Sequence, residues 1–115
     1  MYSVVIDTSV WIDLYLEFDK KRTEISENFF KILRKTNVRI FAPFILKIEL
    51  GAVLSRKMKK EIAEIIIKRI TENIELVNNP DEEAYHVAIT TSSRASDAYF
   101  IATAKLTNSI LITND

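Results

Sequence analysis

The amino-acid sequence predicts an α/β fold with a central parallel β-sheet of about four strands flanked by helices. Short runs of β-branched residues, beginning with "YSVVID", fit strands that are buried on both faces, as in a parallel sheet. Longer segments with apolar residues at helical spacing separate these runs. Strands separated by helices indicate right-handed crossovers, and these connections place parallel strands under a cover of helices.

The first third of the chain contains one predicted strand and two predicted helices. "YSVVID" forms the strand, and "TSVWIDLYLEF" and "TEISENFFKILRKT" form the helices. The second helical segment has apolar residues at helical spacing, namely Ile25, Phe29, Ile32 and Leu33. Thr23 or Ser26 is placed to cap its N-terminus, since a hydroxyl at that position accepts a hydrogen bond from a free backbone amide.

The rest of the chain repeats the alternation. "VRIFA" is a predicted strand, and Pro43 is predicted to lie in the first turn of the helix "PFILKIELGAVLSR". "KKEIAEIIIKRITEN" is a further helix and "IELV" a further strand. "PDEEAYHVAITTS" predicts a helix with acids in its first turn. "SDAYFIATAKLTN", with Ser96 as its cap, predicts the last helix, and "SILITND" the last strand.

The composition excludes several classes of protein. The 115 residues fit a single domain, 1–115, and the 16 basic and 16 acidic residues cancel, so the total charge favours neither nucleic acid nor membrane binding. The absence of cysteine excludes disulfides, thiolate metal sites and a cysteine nucleophile. No apolar stretch approaches the roughly 18 residues of a membrane span. We therefore expect a soluble cytoplasmic protein without a membrane partner.

Four acidic residues are placed where parallel sheets bind ligands, beyond the carboxyl ends of the strands. Asp7 directly follows the first strand, and Asp115 follows the last one. Glu49 lies in the helix after "RIFA", and Asp97 lies at the start of the last helix. The sequence therefore predicts that the four carboxylates share one rim of the sheet.

Each acid has a simpler interpretation when it is taken alone. Asp97 could stabilise a helix N-terminus, Glu49 could be a solvated helix position, and Asp115 could be a frayed terminus. Asp7 is harder to explain, because a charge at the end of a buried strand is costly unless it is compensated. Together, four carboxylates repel one another unless a cation lies among them.

Oxygen ligands without histidine or cysteine suit Mg²⁺ or Mn²⁺, which also bind phosphate oxygens. Such an ion can activate water and stabilise the leaving oxygen when a phosphodiester bond is cleaved, so no side-chain nucleophile is required. The four acids therefore predict a metal-dependent phosphodiesterase.

Four segments carry a resemblance to a known family. "VVIDTSVWID", "ILKIELGAVLSR", "SDAYFIATAKL" and "LITND" are similar, in order and spacing, to the PIN (PilT N-terminus) domain, most closely to its VapC-type toxin branch. The resemblance implies a three-layer α/β/α metal-dependent ribonuclease and the toxin of a toxin–antitoxin pair. It also implies an antitoxin partner that places a basic residue among the acids.

The resemblance carries Asp7, Glu49, Asp97 and Asp115 onto the acidic positions of the family. Thr113 matches a hydroxyl that the family places at the site, and Ser9 is a weaker match of the same kind. The sequence departs from the family after "TND", where members usually continue into another helix and a short strand.

Three basic residues are candidate contacts to RNA phosphates, namely Arg56, Lys57 and Arg94. The only histidine, His86, fits a surface position better than a catalytic one. The segments "NFFKILRK" and "EIAEIIIKRI" carry more apolar surface than one small sheet can cover. This excess predicts a two-fold homodimer, as in the family.

Other functions remain open at this point. A receiver-type phosphoacceptor domain needs a lysine at a strand end, and none follows a predicted strand. A haloacid-dehalogenase-like phosphatase needs a second aspartate two residues after Asp7, where Ser9 stands. The alternatives that fit the sequence are a PIN nuclease of RNA processing or quality control, and a PIN-like domain that binds RNA or protein without cutting.

Overall fold

In the described part of the chain, a four-stranded parallel sheet forms the centre and six helices complete a three-layer α/β/α fold. The computed structural model describes residues 2–114. The fold predicted from the sequence is therefore confirmed. None of the helices in this described part of the chain is long and apolar enough to cross a membrane.

Strands and helices alternate as the sequence predicts, apart from their exact ends. The strands are β1 (Ser3–Ile6), β2 (Arg39–Pro43), β3 (Glu75–Val77) and β4 (Ile110–Ile112). The helices are α1 (Thr8–Leu16), α2 (Lys20–Lys35), α3 (Ile45–Lys57), α4 (Lys60–Glu72), α5 (Asp81–Thr91) and α6 (Ala95–Thr107). The strand order across the sheet is β3-β2-β1-β4, so β1 lies between β2 and β4.

The core lies on both faces of β1. Val4, Val5 and Ile6 are all buried, which is the pattern of a central strand in a covered parallel sheet. Helix α6 contacts β1, β2 and β4, and α5 packs on α6. Helix α1 packs against α2 and α3, and α3 packs against α4. The helices that follow β1 and β2 are thus held where the carboxyl ends of these strands open to solvent.

The predicted cap of α2 is wrong. The helix begins at Lys20, and Asp19 caps it by accepting hydrogen bonds from the next backbone amides. Thr23 and Ser26 are buried inside the helix instead. Their hydroxyls donate to backbone carbonyls of α1, because a hydroxyl in a tight helix–helix contact needs a hydrogen-bond partner.

Two other helix starts also differ from the prediction. Pro43 is the last residue of β2, and α3 begins two residues later at Ile45. Pro43 lies at the end of the strand, beyond the last pairing of β2 with β1 at Phe41, although it is still in register with Val77 of β3. In α6 the capping position is Arg94, and Ser96 is the second residue of the helix.

The apolar surface of α2 is only partly buried. Phe29 and Leu33 pack against the core, whereas Ile25 and Ile32 are exposed. On α1, Trp11 is buried against Phe30, with ring centroids 4.6 Å apart. The periodicity therefore predicted the helix correctly but not which of its apolar residues face the core. Exposed isoleucines on α2 and α4 leave apolar surface outside the core.

Candidate active site

Asp7 joins the end of β1 to the start of α1, and hydrogen bonds fix its carboxylate. Its Oδ1 accepts from the backbone amide of Thr8 at 2.9 Å, which caps α1. Its Oδ2 accepts from the hydroxyls of Ser9 at 2.8 Å and Thr113 at 3.0 Å. The charge at the end of the buried strand is therefore compensated by a helix N-terminus and by two hydroxyl donors. Both predicted supporting hydroxyls lie beside Asp7.

Glu49 approaches the same place from the first half of α3. The side chain is half-buried rather than solvated, and its Oε1 accepts a hydrogen bond of 2.6 Å from the hydroxyl of Thr8. Thr8 itself is buried at the first position of α1. This contact places the carboxylate of α3 next to the turn that carries Asp7.

Asp97 lies in the first turn of α6 and pairs with Arg94. The Arg94 Nε atom is 3.5 Å from Asp97 Oδ2, and the arginine side chain remains largely exposed. An exposed pair of this kind is weak, and it breaks readily when a stronger cation or anion competes for one of its members. Arg94 therefore supplies a local, exchangeable positive charge beside Asp97.

One pocket contains the three predicted site carboxylates that lie within the described residues. It has a volume of 370 Å³, and its walls come from the start of α1, the middle of α3 and the start of α6. Asp7, Glu49 and Asp97 line it together with Ser9 and Arg94. An adjoining cavity of 220 Å³ shares Asp7, Arg94 and Asp97 and reaches Thr113. Asp7, Glu49 and Asp97, predicted at separate points of the sequence, thus line one pocket beyond the carboxyl ends of the strands.

The chemistry of this pocket fits a divalent cation, although its side chains are not arranged around one. Carboxylate and hydroxyl oxygens are the ligands that Mg²⁺ and Mn²⁺ prefer. Within residues 2–114, no three Asp, Glu, His or Cys side chains stand close enough to share one ion. Each carboxylate bonds its own partner instead. The fourth predicted acid, Asp115, lies outside the described residues.

The other candidates lie away from the pocket. Arg56 and Lys57 are exposed in the last turn of α3, where the Lys57 Nζ atom lies 5.5 Å from the centroid of the Phe18 ring. His86 is exposed on α5 with Glu82 as its neighbour, as the sequence predicts. Of the three predicted basic contacts, only Arg94 lines the pocket.

Sequence reasoning missed Thr8. The residue directly follows a strand-end acid, and that position is the only local signal for it. Its importance depends on the contact with Glu49, which is 41 residues away in the sequence. No pattern within a single segment reveals a contact over that separation.

Comparison with known proteins supports the fold. A sequence model of the PIN domain matches residues 4–115. No curated protein sequence matches the chain significantly. Among solved structures, the chain is similar to VapBC2 from Rickettsia felis bound to a DNA fragment from their promoter, with a TM-score of 0.75 and 16% identity. That match covers 98% of this chain and 87% of the other.

Two further solved structures give the same result. VapBC-1 from nontypeable Haemophilus influenzae has a TM-score of 0.71 and 21% identity, over 98% of this chain and 87% of the other. A toxin-antitoxin complex from Klebsiella pneumoniae has a TM-score of 0.67 and 16% identity, over 97% and 86%. At sequence identities this low, the similarity to these structures shows a shared fold only.

Proposed function

Since the chain belongs to the PIN domain family, we propose that it is a metal-dependent endoribonuclease that hydrolyses RNA phosphodiester bonds, and that it is the toxin of a toxin–antitoxin pair. One observation carries the proposal. Three carboxylates, from the start of α1, the middle of α3 and the first turn of α6, line a single pocket at the carboxyl ends of the strands. A solvent-open acidic pocket with an arginine at its edge suits a cation and a phosphate together.

Asp7, Glu49 and Asp97 are the proposed metal ligands, with Asp115 as a fourth. A bound Mg²⁺ or Mn²⁺ would stabilise negative charge on the phosphate oxygens and would lower the pKa of a bound water molecule. Asp7 is held rigidly by its cap and hydroxyl contacts, so it provides a fixed ligand. Asp97 must leave Arg94 to take part, and their exposed ion pair allows this at low cost.

The basic side chains have separate proposed roles. Once released from Asp97, Arg94 lies at the pocket edge and is available to a phosphate oxygen of the bound strand. Arg56 and Lys57, in the last turn of α3 and away from the pocket, are proposed as more distant contacts to RNA phosphates. Contacts to phosphates at these positions hold RNA without reading its sequence.

The toxin assignment rests on the family and on the similar structures. Those structures are described as VapBC or toxin-antitoxin complexes. We propose an antitoxin that inserts an arginine or lysine among the pocket acids, where its charge replaces that of the metal. We also propose a cytoplasmic homodimer that covers exposed isoleucines of α2 and α4, such as Ile32 and Ile65.

RNA cleavage by the purified protein tests the enzymatic proposal. The parent should cleave RNA in Mg²⁺ or Mn²⁺ and stop in excess chelator. Asp97→Asn should reduce the rate by at least ~100-fold, the loss typical when a charge-stabilising group is removed. Asp81→Asn is the matched control, because this acid at the start of α5 bonds Tyr99 outside the pocket. Equal cleavage by the parent and Asp97→Asn would refute the proposal.

The partner proposals need separate measurements. Light scattering at micromolar concentration should give a dimer, and a monomer would contradict the homodimer. A complex with the antitoxin should show a basic side chain beside Asp7 and Asp97. A partner bound far from both residues would refute the proposed mode of inhibition.

A second candidate function has one observation in its favour. The three described carboxylates are not gathered around a common centre, and Arg94 already neutralises one of them. A PIN domain that binds RNA or protein without cutting would have this arrangement. It predicts RNA binding that does not depend on Mn²⁺ and no cleavage by the parent, so the same assay separates the two functions.

A further inference from the structure

The end of β4 and the segment that follows it contact the beginning of the chain. The Asp7 amide donates to the Ile112 carbonyl at 2.8 Å. The Thr113 hydroxyl donates to Asp7 Oδ2 at 3.0 Å. The side-chain amide of Asn114 donates to Oδ2 of Asp13 on α1. Two of these contacts reach Asp7, and the third reaches a residue that the site does not otherwise use.

Asp13 is a buried carboxylate in an otherwise apolar stretch of α1. Only 5% of the residue is exposed, and its neighbours Trp11 and Val10 belong to the core. A buried charge needs partners, and Asp13 Oδ2 accepts from Arg22 Nε at 3.1 Å as well as from Asn114. The Arg22 side chain is half-exposed, so it can neutralise Asp13 without being buried itself.

The location of Asp13 makes it a firm attachment point. Its backbone carbonyl accepts a hydrogen bond from the buried hydroxyl of Thr23, and this contact joins α1 to α2. By contrast, β4 has three residues, and both Thr113 and Asn114 are exposed. An exposed segment after so short a strand frays unless its side chains are anchored.

We propose that Asp13 and Asn114 form a positioning pair that holds the segment after β4 in place and so keeps the Thr113 hydroxyl on Asp7. Both act through other residues rather than on RNA or metal. This proposal rests on the proposed function, because the pair affects activity only if Asp7 is a metal ligand in the pocket. Side chains that orient metal ligands from outside the first coordination sphere usually affect affinity or activity by about 10- to 100-fold.

Four variants test the pair. Asn114→Ala removes the donor, and Asn114→Asp places a second carboxylate against Asp13. The double variant Asp13→Asn with Asn114→Asp restores an amide–carboxylate contact in reverse. Asn73→Ala is the control, because it also removes a side-chain amide that donates one hydrogen bond, at 2.8 Å, but at the C-terminal cap of α4.

Hydrogen exchange of the Asp7 amide, measured by NMR without metal, shows whether the pair holds the segment. Exchange should be faster in Asn114→Ala and Asn114→Asp than in Asn73→Ala, and the double variant should return toward the parent. In Mn²⁺, kcat for RNA cleavage should fall about 10-fold or more in the two single variants with little change in KM, and should recover in the double variant.

The two proposals fail in different ways. If Asp7 exchanges equally fast in Asn114→Ala and Asn73→Ala, the pair does not hold the segment, whether or not the parent cleaves RNA. If exchange is faster but kcat is unchanged, the pair is only structural and its positioning role is refuted. A parent that does not cleave RNA overturns the proposed function, and the exchange rates still decide whether the pair anchors the segment.

Discussion

The hydroxyl of Thr8 donates a hydrogen bond of 2.6 Å to Oε1 of Glu49. The contact joins the first residue of α1 to the middle of α3, and Thr8 is buried while Glu49 is half-buried. Because α1 starts directly after β1, the bond fixes a carboxylate of α3 relative to the end of the central strand. The geometry of the pocket therefore depends on a side chain that is not itself acidic.

Replacing Thr8 tests this dependence. Thr8→Val keeps the shape of the side chain but removes the donor, so Glu49 loses its orientation. We expect Mn²⁺ affinity to fall by about 10-fold, as for other residues that orient metal ligands. Thr8→Ser keeps the hydroxyl and should bind Mn²⁺ nearly as the parent does. Calorimetric titration measures both, and equal affinities for Thr8→Val and the parent would contradict the proposed orientation.

Arg94 should compete with a metal ion for Asp97. Arg94→Ala removes the competing charge, so Mn²⁺ affinity measured without RNA should rise by roughly two- to fivefold, the effect of losing an exposed ion pair. RNA affinity should fall at the same time, and it should depend less steeply on salt concentration, because a phosphate contact is lost. Arg94→Lys keeps the charge and serves as the control. A lower Mn²⁺ affinity in Arg94→Ala would contradict this role.

The ion pair across the sheet edge predicts a pH dependence of stability. Arg39 on β2 donates two hydrogen bonds to Glu75 on β3, at 2.8 and 2.7 Å. These hydrogen bonds are the main reason that the pKa of Glu75 lies below its ordinary value of 4.5. A carboxyl whose pKa is lowered by folding stabilises the protein above the unfolded pKa, and this stabilisation is lost as the pH falls through the folded pKa.

Glu75→Gln should therefore lower the melting temperature slightly at pH 7, and the difference from the parent should shrink below the ordinary pKa of glutamate. The effect is small because both side chains are exposed. Glu72→Gln, at the end of α4, controls for the loss of one negative charge. A difference between Glu75→Gln and the parent that grows on acidification would contradict the assigned sign.

The sequence predicted the central elements of the fold because their signals are local. A β-branched run followed by an acid marks β1 and Asp7, and helical periodicity marks α2 and α4. The caps were harder to predict. Asp19 accepts hydrogen bonds from the backbone amides at the start of α2. Thr23 and Ser26 could cap a helix by the same chemistry, and the sequence alone allows the helix to begin at either of them. Only the packing of α2 on α1 decides between them.

The contacts that shape the site were beyond sequence reasoning for a different reason. Thr8 and Glu49 are 41 residues apart, and Asp13 and Asn114 are 101 residues apart. A hydroxyl or an amide has many possible partners at such separations, and the fold selects one. Asp13 lies in the same segment as Asp7, but its burial could not be predicted from the sequence. An acid in an apolar helix usually indicates a solvent-facing position.

The pocket around Asp7 is proposed to bind a divalent cation, and a comparison of thermal melts with Asp7→Asn tests this binding most directly. Asparagine caps a helix about as well as aspartate, so without metal the variant should unfold within ~1 kcal/mol of the parent. Asp19→Asn, in the cap of α2, makes the same exchange at a helix start that has no place in the pocket. Each protein is melted with chelator and with Mn²⁺.

At an Mn²⁺ concentration ten times the Kd, binding should stabilise the parent by about 1.4 kcal/mol. For a domain of this size the melting temperature should then rise by roughly 5 °C. Asp19→Asn should show the same rise, and Asp7→Asn should lose most of it. If Mn²⁺ leaves the melting temperature of the parent unchanged, or stabilises Asp7→Asn as much as the parent, the pocket around Asp7 is not a metal site.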